Sequence, residues 1–254
     1  MLAALLAYQN ADGGFGNALE PDKRDPHSQP VDIQVALEIL DEIDSFYQDI
    51  ASRVCEFLDA ISTAEGGVPF ALPSINDYPH APWWEVKTNL LPASVNPTAA
   101  ILGLLIKHRV RHRWLKRAEA YCWQAIGASE TTEFHDLMPM IAFLERASDG
   151  ARAKHELTRI ADRIRAPGVV ERDPDATGYL HKPLDWAPSP NSFCAALFDG
   201  GLIATHLETL AARQQADGGW PISWQPISGA VEREWHGVVT INALRTLRAY
   251  GWDG

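Results

Sequence analysis

Gln9-Asn10-Ala11-Asp12-Gly13-Gly14-Phe15, near the start of the chain, and Gln214-Gln215-Ala216-Asp217-Gly218-Gly219-Trp220, near its end, share the glutamine, alanine, aspartate and both glycines. Self-similarity of this kind marks a repeat architecture. A weaker copy, Ser62-Thr63-Ala64-Glu65-Gly66-Gly67-Val68, keeps an acid and the glycine pair. It begins a little over about fifty residues after the first copy, and the remaining gap is about three such periods. That spacing predicts two eroded copies, at the breaks around Arg111-His112-Arg113 and Ala166-Pro167-Gly168.

The motif is helix punctuation: a glutamine near the end of a helix, an Asp-Gly-Gly turn able to take positive φ, and an aromatic that packs back on the helix ends. Between the motifs apolar residues recur at helical spacing, as in Ile33, Leu37, Leu40 and Ile43, then Val54, Leu58 and Ile61, and again Val238, Ile241, Leu244 and Leu247. No two-residue alternation competes with that pattern. Further helices are expected at 96–109, 113–127, 132–147, 151–165 and 191–213, the last broken at Asp199-Gly200-Gly201. The fold class is therefore all-α, one domain over residues 1–254 built from antiparallel hairpins. Such hairpins cannot bury their apolar faces alone and stack into an open solenoid or a closed ring.

The composition narrows the function classes. With 254 residues and 46% hydrophobic content, a sizeable core is affordable in one large domain. The formal charge of -11 disfavours nucleic acid, because phosphate binding needs a basic surface. Cys55, Cys122 and Cys194 lie far apart and leave one over, which fits a reducing cytosol better than a disulfide framework. Met1 to Ala7 is apolar but too short to span a bilayer and has no basic leader. It reads as helix, and because the chain opens inside that helix an upstream helix is expected to be missing from the ring.

Gln9 to Gly16 and Gln214 to Trp220 resemble the glutamine-tryptophan repeat of squalene-hopene and oxidosqualene cyclases, whose domains, like protein prenyltransferase β subunits, form a closed α/α barrel. The resemblance implies an α/α toroid with inner and outer helix rings, incomplete at the N-terminus here, around a largely apolar cavity. It implies an isoprenoid ligand, handled without a transmembrane segment and with peripheral membrane contact. Class II cyclases of that superfamily protonate an alkene from an Asp-x-Asp-Asp motif, and aromatic faces stabilise the carbocation. This chain has no Asp-x-Asp-Asp; the nearest string is Arg172-Asp173-Pro174-Asp175-Ala176-Thr177-Gly178. Like-charge proximity of Asp173 and Asp175 would raise one carboxyl toward an acid role, against the alternative of a solvated loop. Prenyltransferases bind zinc through aspartate, cysteine and histidine. Cys194 and His236 are the matching positions, the aspartate element is absent, and no cofactor is expected.

Glu133-Phe134-His135-Asp136 opens a predicted helix and sets an imidazole beside carboxylates, so His135 and Asp136 are candidates for proton transfer, with helix capping as the alternative. Trp83, Trp84, Trp186, Trp224, Trp235, Phe15 and Tyr179 fall mostly in inter-helix loops and are candidate walls of the binding site. Asp77 to Glu85 and Leu184 to Pro190 are proline-stiffened and aromatic, as binding loops are. Glu20-Pro21-Asp22-Lys23-Arg24-Asp25-Pro26-His27 reads as a solvated connection. The leading expectation is acid-initiated cyclisation or isomerisation of a polyprenyl substrate. Prenyl transfer, carbohydrate processing by paired carboxylates, and a non-catalytic binding or scaffold domain are the alternatives.

Overall fold

Apolar positions at helical spacing become the buried faces of helices, and the computed structural model, which describes residues 1–88 and 90–252, is all-helical. Among the described residues ten α-helices run in order: α1 (Leu2–Leu6), α2 (Pro30–Glu42), α3 (Gln48–Ile61), α4 (Val95–Lys107), α5 (Arg113–Ala128), α6 (Phe134–Leu144), α7 (Gly150–Ile164), α8 (Pro183–Trp186), α9 (Gly200–Ala212) and α10 (Gly229–Ala249). Short 3₁₀ turns occupy Pro73–Asp77, Pro82–Trp84 and Phe193–Leu197. Among the described residues β structure is limited to isolated bridges such as Gln9 with Phe15.

The chain divides into two compact units, Met1–Leu157 and Thr158–Gly254, with the boundary inside α7. In the first, α2, α4 and α6 pack side by side, and α3 and α5 form a neighbouring row joined to them through α4 and α5. Ile33, Leu37, Leu40, Val54 and Leu58 are fully buried there, as their spacing requires. In the second unit, α9 packs on α8 and α10 around Ile203, Leu207, Trp220, Ala243 and Leu247.

Local chemistry explains where the helices stop. α2, α4 and α10 end alike: Asp44, Arg109 and Gly251 take positive φ of 50°, 55° and 73°. The next amide then turns back on the helix, Ser45 N to Leu40 O (2.9 Å), Val110 N to Leu105 O (3.0 Å) and Trp252 N to Leu247 O (2.9 Å). The string Arg111-His112-Arg113 is therefore the α4–α5 connection and not an eroded motif; His112 Nδ1 accepts from Trp114 N at 3.2 Å to cap α5. Gly168 does carry a positive φ of 82°, after α7, where an eroded copy was expected. At Asp199-Gly200-Gly201 the aspartate caps α9, its Oδ1 accepting from Leu202 N at 2.8 Å.

The three glycine-pair turns share one geometry. Gly13, Gly66 and Gly218 have φ of 90°, 100° and 86°. Gln9 Nε2 donates to Gly13 O (3.0 Å) as Gln214 Nε2 does to Gly218 O (2.9 Å), and Asp12 and Asp217 each accept from the second glycine amide at 2.9 Å. A Cβ on Gly66 would sit 2.6 Å from Arg117 O, whereas one on Gly127 of α5 meets nothing within 4 Å. Gly66→Ala is expected to cost about 2–4 kcal/mol through strain and overpacking, while Gly127→Ala is neutral or stabilises by up to about 1 kcal/mol. Equal melting shifts for the two variants in thermal denaturation would contradict this packing.

Candidate functional site

Between the first motif and α2 the chain carries three acids and a lysine, Glu20, Asp22, Asp25 and Lys23, and all of them are buried, as is Asp32 in the first turn of α2. Asn17 and Ala18, with φ of 58° and 60°, turn the segment inward, and Pro21 and Pro26 stiffen it. Lys23 and Asp32 are completely buried and form an ion pair between Lys23 Nζ and Asp32 Oδ2. The other oxygen, Asp32 Oδ1, accepts from Glu20 N at 2.8 Å, and Glu20 Oε2 accepts from Asp22 N at 3.1 Å. The expected solvated connection is thus an internal charged cluster: the proline-bounded loop folds over the start of α2, and the buried lysine draws the acids in with it.

A second loop seals the cluster. Asp25 Oδ2 accepts from Ser74 Oγ and from Gln29 Nε2, both at 2.7 Å, while Gln29 Oε1 accepts from Leu72 N at 2.8 Å. Arg24 N donates to Pro79 O (2.9 Å) and Ala81 N to Asp22 O (2.7 Å). This places the aromatic segment beside the acids. Ala71, Ile75, Ala81 and Trp84 form a buried group with Val31 and Phe70 packed against it, and the Phe70 and Trp84 rings stack at 4.7 Å. Trp84 Nε1 is buried and has no hydrogen-bond acceptor among the described residues. His27 Nδ1 lies 2.8 Å from Asp25 Oδ1, and His27 itself lines an open hollow of about 420 Å³ with Asn10, Asp12, Asn17 and Ser28. The imidazole therefore links the interior carboxylate to solvent.

The electrostatics set the carboxyls apart. Burial first, then the charges of Asp22 and Asp32 against the pull of Lys23, push Glu20 up to about 8. Burial likewise raises Asp32 to about 6, opposed by Lys23. Asp25 goes the other way: burial acts to raise it, but hydrogen bonds from Ser74, the His27 amide, Gln29 and the His27 ring more than offset that and hold it below the usual carboxylate range. A neutral carboxylic acid thus sits in the same cluster as an ionised carboxylate, the arrangement that divides acid and base roles.

The residues singled out from sequence are scattered by comparison. Asp173 and Asp175 are exposed; Asp173 Oδ1 accepts from Asp175 N at 2.9 Å and Arg213 lies 3.6 Å from Asp175. His135 is exposed at the start of α6, with its imidazole held below the usual range by local desolvation against the opposing charges of Asp136 and Glu133, and Asp136 accepts from Thr131 Oγ1 at 3.4 Å. Phe15 is completely buried in the core, Trp186 is buried, and Trp83 is 50% exposed beside buried Trp84. Tyr179, Trp224 and Trp235 do come together, edge to face at 5.8 and 5.1 Å. Cys194 is buried and His236 half-buried, and among the described residues no three His, Cys, Asp or Glu groups are placed to hold a metal. No helix among the described residues is long and apolar enough to cross a membrane.

The sequence did hold one signal for the missed cluster. Asp32 lies between Val31 and Ile33 in the first turn of α2, at i, i+4 from Ala36, so a carboxylate occupies an otherwise apolar stripe and needs a buried cation. No protein-family model and no curated protein matches the chain.

The cluster has a pH signature. Because the folded state keeps the Glu20 proton from about pH 4.5 to about 8 while the unfolded chain releases it, this group makes stability fall as pH rises across that window. Asp32 acts in the same sense from its ordinary value up to about 6. Glu20→Gln, which is neutral at every pH, is expected to gain a few kcal/mol relative to wild type between pH 5 and about 8, read by urea denaturation. A wild type and variant that stay parallel across that range would contradict a protonated Glu20. Lys23→Met, leaving Asp32 buried and unpaired, is expected to cost about 3–5 kcal/mol at neutral pH.

Proposed function

We propose that the protein is an isoprenoid-handling enzyme of the terpene cyclase-like α/α toroid kind, and that Glu20 starts its reaction by protonating a carbon–carbon double bond. One observation carries this reading: a buried carboxyl whose burial and acidic neighbours keep it protonated at neutral pH, in a loop hydrogen-bonded to the segment that carries a stacked aromatic pair. The glutamine and glycine turns at both ends of the chain support the repeat, and ring closure of the repeat is part of the proposal.

In the step, the alkene π pair takes the Glu20 proton to form a new C–H bond, and the adjacent carbon becomes a carbocation. The electron pair of the broken O–H bond stays on Glu20, whose new charge Lys23 stabilises. The faces of Phe70 and Trp84 stabilise the cation in transit. Return of a proton from a carbon next to the cation to the Glu20 carboxylate completes an isomerisation and regenerates the acid; attack by a second double bond before that return gives a ring. Free, buried cysteines suit such a site in a reducing compartment.

The test is incubation of purified protein with linear polyprenyl alkenes and their diphosphates in deuterated water. Isomerised or cyclised products carrying deuterium at carbon are expected from wild type, with turnover reduced by about 10²–10⁴ in Glu20→Gln at unchanged fold. Absence of turnover and of saturable isoprenoid binding, or a Glu20→Gln variant as active as wild type, would remove this assignment and leave the cluster a structural one.

A further inference from the structure

An exposed imidazole in the N-terminal unit is held from beneath by a carboxylate that water does not reach. Asp25 is completely buried; its Oδ2 accepts from Ser74 Oγ and Gln29 Nε2, both at 2.7 Å, and its Oδ1 from the His27 amide at 2.9 Å. The His27 Nδ1 contact to Oδ1, at 2.8 Å, is the fourth, and four donors fill the lone pairs of a carboxylate. Asp25 is therefore ionised, in line with an acidity held below the usual carboxylate range, and Nδ1 carries the ring proton. The other ring nitrogen, Nε2, is left with its lone pair. Its ring is 60% exposed and lines the hollow of about 420 Å³ with Asn10, Asp12, Asn17 and Ser28. A buried carboxylate that fixes the tautomer of an accessible imidazole is the pairing that makes histidine a general base.

The rim of the hollow is fixed in place. Asn17 and Ala18 hold consecutive left-handed φ of 58° and 60°, a conformation with a steric cost at Ala18 that persists where the surroundings enforce it. Asn17 N donates to Pro26 O at 3.3 Å, Asn10 Nδ2 to Pro26 O at 3.0 Å and to Ser28 Oγ at 3.1 Å, and Ser28 Oγ to Asp12 Oδ1 at 2.7 Å. Asn17 Nδ2 gives one hydrogen to Asn10 Oδ1, at 3.2 Å, and a side-chain amide has a second. Asp12 is anchored through Oδ1, which also accepts from Gly14 N at 2.9 Å, so its carboxylate is a set part of the wall.

We propose that this hollow is a hydrolytic site for small carboxylic esters that carry no negative charge, with His27 as the general base and Asp25 as the residue that positions it. Water gives a proton to His27 Nε2 as its oxygen bonds to the acyl carbon, and the carbonyl π pair moves onto the carbonyl oxygen, where the second Asn17 Nδ2 hydrogen meets the new charge. That pair returns as the bond to the alcohol oxygen breaks, and the imidazolium passes its proton to the leaving alkoxide, which releases acid and alcohol and restores the neutral ring. Asp25 stays ionised throughout and offsets the charge of the imidazolium. The Asp12 carboxylate sets the substrate class, because like charge disfavours phosphate esters and acyl groups that bear a carboxylate. The inference stands apart from the Glu20 chemistry, which neither His27 nor the hollow enters.

The probe is p-nitrophenyl acetate, incubated with the full chain and followed by nitrophenolate release, with free imidazole at the same concentration as the background. Saturable hydrolysis above that background is expected, with kcat lowered by about 10²–10⁴ in His27→Ala and in His27→Gln, KM little changed, and activity partly restored to His27→Ala by added imidazole. Both variants are expected to keep the wild-type circular dichroism, because the ring they remove is exposed. A succinyl in place of the acetyl group, which adds a carboxylate, is expected to lower kcat/KM by about tenfold or more in wild type and by less in Asp12→Asn. A wild type no faster than free imidazole, a His27→Ala variant as fast as wild type, or a succinyl ester taken as readily as the acetyl one would overturn the proposal.

Discussion

An ammonium group with no access to water cannot stay charged unless carboxylates come with it, and Lys23 meets that condition through Asp32. The other acids follow from the loop that carries the lysine. Bringing Lys23 under the start of α2 folds Glu20, Asp22 and Asp25 inside with it, and the Asp25 carboxylate, the Gln29 amide, Arg24 N and Asp22 O find partners in the segment from Leu72 to Ala81. That segment in turn seats Phe70 and Trp84. The position of the aromatic loop is thus a consequence of one buried ion pair.

One cation among several buried carboxyls cannot neutralise them all, and the excess is resolved by protonation. Glu20 accepts one amide hydrogen bond and is pushed up to about 8; Asp25, with four donors around it, is held below the usual carboxylate range. Asp173 and Asp175 have the closer sequence likeness to an acidic catalytic motif, but they lie exposed, with Arg213 beside Asp175, and lack the burial that pushes Glu20 up. Environment, more than residue spacing, decides which acid is one at neutral pH.

The repeat, the helix positions and the glycine turns were legible in the sequence because they follow from local rules: 3.6-residue spacing and positive φ at Gly13, Gly66 and Gly218. Long-range satisfaction was not. Charged residues read as solvated unless their partners are known, and the partners of Asp25 and Gln29 are Ser74 and Leu72, far along the chain. The same limit displaced the eroded motif at Arg111-His112-Arg113, where a uniform period was assumed although Arg109 ends α4 with the cap that Asp44 gives α2. Ile241 and Leu244 kept the helical spacing of core residues, and only the surroundings of α10 revealed them as exposed.

The protonation state of Glu20 is the point on which this account turns, and it can be read directly. Carboxyl carbon shifts of glutamate-labelled protein, with Glu20→Gln used to assign the resonance, are expected to show Glu20 titrating near pH 8. A Glu20 resonance already ionised at pH 6 would contradict a buried neutral acid, and with it the proton-donor role built on this cluster.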